Sequence, residues 1–162
     1  MEYWDLYDKD KNMLERKAIR GEKLSSDEFH LVVNAWVMND EGKFLISQRS
    51  KNKSHPLMWE CTGGSALMGE DSIDAAIREL KEELNFDVLK EEGKYIGSTL
   101  RFYPNCNDIL EVWLFTTNNK NQKIIIQEEE VNDYKWASKE EIIELKNKGV
   151  FDANAFFEYI LK

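Results

Sequence analysis

Apolar residues recur along this chain at two spacings, and each spacing predicts one kind of element. Runs rich in β-branched and aromatic residues predict strands, because such side chains fit a pleated, half-buried surface. The predicted strands cover residues 2–7, 13–19, 29–38, 43–49, 94–103, 109–117 and, as a short candidate, 123–127. A polar turn joins the first two strands, so we expect the chain to open with a hairpin.

One stretch of the chain, residues 71–84, changes to helical spacing. Asp71 or Ser72 is suited to cap its start, and Asp74 suits the positive end of the helix dipole. Apolar side chains return at i, i+3, i+4, i+7 and i+11, and they are Ile73, Ala76, Ile77, Leu80 and Leu84. This pattern predicts a helix with one face buried in the core.

Two more helices are expected near the end of the chain. Ser138 and Glu141 have the spacing of a capping box, which predicts a helix over residues 139–148. A last helix is expected over residues 152–161, and its aromatic residues suit a core. Strands combined with one central helix and late helices predict an α+β or mixed α/β fold.

Three carboxylates lie beside the apolar face of the helix at residues 71–84. Glu79, Glu82 and Glu83 are spaced i, i+3 and i+4, so they share one flank and repel one another. A divalent cation would remove that repulsion, and magnesium takes oxygen ligands of this kind. A solvated acidic helix face is the alternative explanation.

A glycine-rich segment leads into this helix. Gly63 and Gly64 allow a tight turn and a close backbone approach to a ligand. The free N–H groups at the helix start favour anions such as phosphate. An ordinary strand-to-helix turn would account for the glycines but not for the carboxylates that follow.

The segment from Gly64 to Phe86 resembles the Nudix box, whose pattern is Gly-x5-Glu-x7-Arg-Glu-U-x-Glu-Glu-x-Gly-U with U apolar. Two positions depart from that pattern. Asn85 stands where the family has glycine, and Phe86 is aromatic where an aliphatic residue is usual. The resemblance extends over roughly residues 28–162 and implies a Nudix-type α/β/α sandwich around a mixed β-sheet.

The resemblance also implies roles for single residues. The Gly63 carbonyl is expected near the metal, together with the three carboxylates. Glu70 and Arg78 are expected to brace the loop against the helix, with Gly64 as structural support. Arg49 is expected to contact a substrate phosphate, and a surface salt bridge is the alternative for it.

A run of acidic residues at positions 128–130 gives weaker candidates. Glu129 or Glu130 would be able to supply another metal ligand or a general base. An exposed acidic loop is the simpler explanation for any single residue of the run, and the general base is left open among Glu79, Glu82 and this run.

Composition narrows the classes of function. The 162 residues fit a single domain, with an N-terminal hairpin at 1–27 and a core at 28–162. A net charge of −9 argues against nucleic acid or an anionic membrane as partner. Cys61 and Cys106 have no metal-like spacing, and the charged N-terminus has no apolar signal core, which together predict a cytoplasmic protein.

The sequence therefore predicts a metal-dependent Nudix hydrolase that cleaves a pyrophosphate bond in a nucleoside diphosphate derivative or a similar small diphosphate. The implied cofactor is Mg²⁺, with Mn²⁺ as a substitute, and Glu79 and Glu82 are the catalytic candidates. A homodimer is compatible with this prediction, because nothing in the pattern fixes the oligomeric state.

Two other functions are kept open. The opening WDLYDKDKN resembles the N-terminal segment of Nudix proteins related to isopentenyl-diphosphate isomerase. That isomerase has a reactive cysteine where this chain has Gly63, and Cys61 lies two residues away. A non-catalytic nucleotide-sensing module is the second alternative, although such sensors commonly lose carboxylates that are all present here.

Overall fold

The computed structural model describes residues 1–162 and contains nine strands and three α-helices. The strands are β1 Tyr3–Tyr7, β2 Met13–Ile19, β3 Phe29–Met38, β4 Phe44–Arg49, β5 Trp59–Glu60, β6 Thr62–Ser65, β7 Gly93–Arg101, β8 Asn107–Thr116 and β9 Val131–Ala137. The helices are α1 Ser72–Leu84, α2 Lys139–Asn147 and α3 Phe157–Ile160. A short 3₁₀ helix at Lys90–Glu92 precedes β7. None of the helices is both long and apolar enough to cross a membrane.

The strands form one mixed sheet in which β3 is the central element. β3 pairs in parallel with β8 along its whole length, from Phe29 opposite Asn107 to Met38 opposite Thr116. Its other edge pairs antiparallel with β1 and then with β6. β4 carries β9 on one side and β5 on the other. This topology brings the β6 glycines to the middle of the sheet.

Helices cover both faces of the sheet, so the predicted α/β/α sandwich is confirmed. Alternate residues of β3, such as Val33 and Ala35, pack with Leu80 and Leu84 of α1 in one core. Trp36 points to the other face and packs with Ile142 of α2 in a second core. The period-2 alternation of a strand is what allows β3 to serve both layers.

Helix α1 begins and ends at residues whose side chains suit those positions. The Asp71 carboxylate accepts a hydrogen bond from the Asp74 backbone N–H at 2.9 Å, which identifies Asp71 rather than Ser72 as the N-cap. Asn85 at the C-terminus has φ 55° and ψ 31°, the left-handed conformation. The buried face is shifted from the predicted one, because Ala75 is buried while Ile73 and Ile77 are only partly buried.

Several predicted boundaries were wrong. Residues 123–127 form no strand, although their apolar run predicted one. Instead, the segment lies beside the end of α1, where the N–H of Ile125 donates to the Leu84 carbonyl at 3.1 Å. Strand β9 was missed, and the segment before α1 that we expected to be a loop contains β5 and β6. The last helix is only the single turn of α3.

The N-terminal hairpin β1–β2 joins the same sheet as the rest of the chain. Leu6 and Tyr7 pair with His30 and Phe29 at the start of β3. Trp4 stacks on His30 with ring centroids 3.9 Å apart. The hairpin is therefore packed directly against β3, the strand that also pairs with the glycine-containing strand β6.

Candidate active site

Arg78 on α1 connects the helix to the loop in front of it. Its Nε and Nη2 donate to the two oxygens of Glu70 at 2.6 and 3.0 Å, and Nη2 also donates to the Ser65 carbonyl at 3.0 Å. Glu70 in turn accepts the backbone N–H of Leu67 at 2.8 Å. The predicted contact between Glu70 and Arg78 is thus present, with the bidentate geometry that holds a guanidinium most firmly.

The hairpin also contacts this loop, which the sequence did not predict. The Gly69 N–H donates to Asp5 at 2.8 Å, and the Met68 N–H donates to the Tyr3 carbonyl at 2.8 Å. Gly69 has φ +86°, a conformation that L side chains rarely adopt. The loop that enters α1 is therefore held from two sides, by Arg78 and by β1.

Glu79 packs directly over the backbone of Gly64. A Cβ atom added at Gly64 would lie 2.3 Å from Glu79 Oε1, so glycine leaves room for the carboxylate in its present rotamer. Arg78 Nη1 donates to Glu79 at 3.0 Å. Burial raises the pKa of Glu79 to about 7, and the Arg78 guanidinium opposes that rise.

Glu83 is the most deeply buried of the three carboxylates, at 5% exposure. No donor or cation of the protein contacts its carboxylate within hydrogen-bond or ion-pair distance. Burial raises the pKa of Glu83 well above its usual range, and Glu79 nearby adds to the rise. Glu82 is half exposed and accepts from Arg78 Nη1 at 3.0 Å.

All three carboxylates line a single cavity of about 150 Å³. Gly63 and Gly64 form part of its wall, as the sequence predicted. Residues that the sequence reasoning did not single out also line it, and they are Glu2, Arg20, Lys53, Ser65, Leu67 and Gln127. Lys53 lies in a polar, cationic segment at residues 50–54, and Arg20 lies in the turn that follows β2; neither residue belongs to a motif that marks it as functional.

The residues of the acidic run at 128–130 lie in different surroundings. Glu130 lines the carboxylate cavity and forms an ion pair with Lys53. Glu129 is exposed and does not line the cavity, and only its backbone carbonyl is engaged, by Ser50 Oγ at 2.9 Å. Of the two weaker candidates, the structure brings only Glu130 to the site.

Arg49 does not face the carboxylate cavity. Its Nη1 contacts Glu60 at 3.2 Å, and its Nε donates to the Ser54 carbonyl at 2.7 Å. Burial raises the pKa of Glu60, and Arg49 opposes the rise. In this arrangement Arg49 forms a partly buried salt bridge in the wall of a neighbouring cavity.

The donor set fits a divalent cation with a preference for oxygen. The buried Glu83 has no counter-charge from the protein, and Glu79 lies beside it in the same cavity. In the present rotamers, no group of three or more acidic, His or Cys side chains converges on one point, because Arg78 contacts both Glu79 and Glu82. The carboxylates therefore offer the oxygen ligands that such a cation prefers, and the Arg78 guanidinium competes with the cation for Glu79 and Glu82.

A nine-stranded mixed sheet between helices, with a glycine segment leading into a carboxylate-bearing helix, defines the Nudix class of fold and site. A family model described as the NUDIX domain matches residues 28–159. The chain therefore belongs to the Nudix family.

The proteins that this chain resembles in sequence include Nudix hydrolases and isopentenyl-diphosphate isomerases. The chain is 36% identical over 155 residues to a Listeria innocua protein named uncharacterized Nudix hydrolase lin0387, covering 93% of this chain and 88% of that one. It is 29% identical over 120 residues to an isopentenyl-diphosphate Delta-isomerase of Shigella boydii. That match covers 70% of this chain and 64% of the isomerase. Among solved structures, DR0079 from Deinococcus radiodurans matches with a TM-score of 0.73 and 22% identity, covering 98% of this chain and 97% of that chain.

Proposed function

We propose that this protein is a divalent-metal-dependent hydrolase that cleaves the pyrophosphate bond of a small diphosphate compound. The observation that carries the proposal is that the buried Glu83 and the partly buried Glu79 share one cavity beside the Gly63–Gly64 backbone. Two neighbouring carboxylates with so little exposure and too few protein cations are unfavourable in an unliganded protein. They are accounted for if a cation and a phosphate share the cavity.

The residues would divide the work in the following way. Glu79, Glu82 and Glu83 would hold Mg²⁺ or Mn²⁺, and Gly63 lines the same cavity. When bound, the metal neutralises phosphate charge and lowers the pKa of a water molecule. Lys53 lines the cavity as a further cation for phosphate oxygens. Glu79 would accept the proton of the attacking water, with Glu82 as the alternative base, because both carboxylates line the cavity that would hold the phosphate.

The isomerase alternative needs a thiol acid at the position of Gly63. A Cβ atom there would lie 2.7 Å from Asn34 Oδ1 and 2.7 Å from the Val33 carbonyl, so the space is taken. Cys61 is buried at 3% exposure, and burial raises its pKa well above the usual range. We therefore propose hydrolysis over isomerisation, and expect Cys61→Ser to keep most of the activity.

A panel of diphosphate compounds, assayed for released phosphate with Mg²⁺ or Mn²⁺ and with a chelator, tests the proposal. Glu79→Gln, Glu82→Gln and Glu83→Gln are each expected to lower kcat at least about 10²-fold. Glu91→Gln, on the 3₁₀ turn outside the cavity, is the matched control and should leave turnover unchanged. Full activity in all three cavity variants would refute the site assignment, and tight nucleotide binding without turnover would favour the sensor.

A further inference from the structure

A second cavity of about 220 Å³ adjoins the carboxylate cavity. Lys53, Gly63 and Gly64 line both cavities, so a molecule that places a phosphate in the first would reach into the second. Ligand pockets for drug-sized molecules start at about 300 Å³. The second cavity is therefore of the size for one small group attached to the phosphates.

The walls of this second cavity are polar and charged. Arg49 and Arg101 line it but are already paired, with Glu60 at 3.2 Å and with Asp108 at 2.7 Å. No phenylalanine, tyrosine or tryptophan lines it, and Val32 and Cys61 are its hydrophobic residues. A nucleobase would find no aromatic ring to stack on, and an isoprenoid chain would lie against charged groups.

Three side chains in the wall still have unused hydrogen-bonding capacity. Asn34 is only 8% exposed, and its Nδ2 has no hydrogen-bond acceptor in the protein. Asn154 Oδ1 is buried and has no donor. Asp152 is exposed, lines the same cavity and forms no ion pair. Buried polar groups without partners are uncommon and call for a ligand or water to complete them.

Asn34 occupies its place because of Gly63. The two residues are opposite each other in the β3–β6 pair, and a side chain at Gly63 would collide with Asn34 Oδ1. Glycine therefore lets an amide, rather than a thiol or an apolar group, stand at the junction of the two cavities. An amide both donates and accepts hydrogen bonds.

We propose that the second cavity binds a hydroxyl-rich group, such as a sugar or another polyol, that is joined to the diphosphate. Hydroxyls donate and accept, so they match an unpaired amide N–H, an unpaired amide oxygen and a free carboxylate at once. This inference rests on the proposed function, because it names the class of substrate for the same site. Asn34 and Asp152 are its specificity-determining residues.

Two five-carbon diphosphates test the inference, ribose 5-diphosphate with hydroxyls and isopentenyl diphosphate without them. We expect kcat/KM for phosphate release to be at least about tenfold higher for the ribose compound. Asn34→Leu and Asp152→Ala should each lower that ratio about tenfold or more, since each removes a hydrogen-bond partner of the hydroxyls. Asp152 is exposed, so its variant reports even if the buried Asn34→Leu variant fails to fold.

The exposed Asp27 lies outside both cavities, so Asp27→Ala is the matched control and should leave the ratio unchanged. Equal or better use of isopentenyl diphosphate by the wild-type protein would overturn the inference and leave hydrolysis intact. If neither compound is hydrolysed, the proposed function fails for this pair. Binding of their methylene-bridged, non-cleavable analogues then decides, with tighter binding of the ribose analogue supporting the inference and equal or weaker binding overturning it.

Discussion

Asn85 ends the carboxylate helix in the left-handed conformation that the family pattern assigns to glycine. Asparagine tolerates this conformation better than other side chains, and here its Nδ2 also donates to the Lys123 carbonyl at 3.1 Å. We expect Asn85→Gly to keep full turnover and to shift the free energy of unfolding by less than about 1 kcal/mol. Asn85→Val should destabilise by about 1–2 kcal/mol, because a branched side chain is strained at φ 55°.

Denaturant unfolding and a turnover assay of both variants measure this difference. Loss of turnover in Asn85→Gly would mean that the amide has a chemical role, and equal stability of the two variants would contradict the conformational explanation.

His30 makes stability depend on pH. Burial lowers its pKa to about 4, and Arg101 and Arg20 add to the shift. In the unfolded chain it takes a proton near pH 6.5. Between these values the unfolded state binds more protons, so stability is lost as pH falls from about 6.5 towards 4, by at most about 1.4 kcal/mol per pH unit from this group.

Thermal unfolding between pH 7.5 and 5 tests this, since the chain has 2 histidines and the other, His55, is exposed. The melting temperature of His30→Phe should rise relative to that of the wild type as pH falls, whereas that of His55→Gln should keep a constant offset. Glu79 and Glu83, whose pKa values are raised, contribute the opposite slope, and they do so equally in all three proteins. Identical pH slopes in all three proteins would contradict the assigned pKa.

At the scale of elements, the brace between α1 and its preceding loop depends on one ion pair. Glu70→Gln removes the charge that Arg78 contacts through two nitrogens in a partly buried setting. Hydrogen bonds to charged groups contribute about 1.5–3 kcal/mol, so we expect a loss of that order in the free energy of unfolding. Activity should fall as well, because this loop directly follows β6, whose Gly64 packs against Glu79.

The exposed pair Lys146–Glu158 is the matched control, and Glu158→Gln should change neither stability nor turnover measurably. If Glu70→Gln unfolds at the same denaturant concentration as the wild type, the pair does not brace the loop.

An element was predictable from the sequence where the residues of that element alone determine it, and not where contacts with distant parts of the chain decide. Helix α1 was predictable because its cap, its period and its C-terminal Asn85 agree. Residues 123–127 looked like a strand, but their N–H groups satisfy the free carbonyls at the end of α1, including Gln127 N–H to Glu83 at 2.9 Å. Strand β9 was missed because its three consecutive exposed residues hide the alternation.

The site shows the same division between local and tertiary signals. The Glu70–Arg78 contact followed from the resemblance, whereas the burial of Glu83 and the arrival of Arg20 depend on the packed sheet. For Arg49 the sequence left open a phosphate contact and a salt bridge, and the short strand β5 places Glu60 beside it as a salt-bridge partner. No spacing along the chain reports contacts of that kind.

At the scale of the whole molecule, the N-terminal hairpin lies outside the matched family region yet reaches the site. Arg20 and Glu2 line the carboxylate cavity, and Asp5 holds Gly69. We propose that residues 1–162 form one folding unit. A fragment of residues 28–162 should therefore lose cooperative unfolding, because it exposes the edge of β3 and removes Trp4 from His30.

Circular dichroism and thermal unfolding of that fragment provide the test. If the fragment unfolds cooperatively, with a melting temperature within a few degrees of that of the full chain, the hairpin is not part of the folding unit.

We propose that the carboxylate cavity directs water to phosphorus in a metal-dependent step. Turnover in ¹⁸O-labelled water, with mass analysis of both products, measures which bond the water attacks. We expect one labelled oxygen in a phosphate product, formed with Mg²⁺ or Mn²⁺ and abolished by chelation. Turnover that leaves both phosphate products unlabelled, or that only interconverts isopentenyl and dimethylallyl diphosphates, would contradict it.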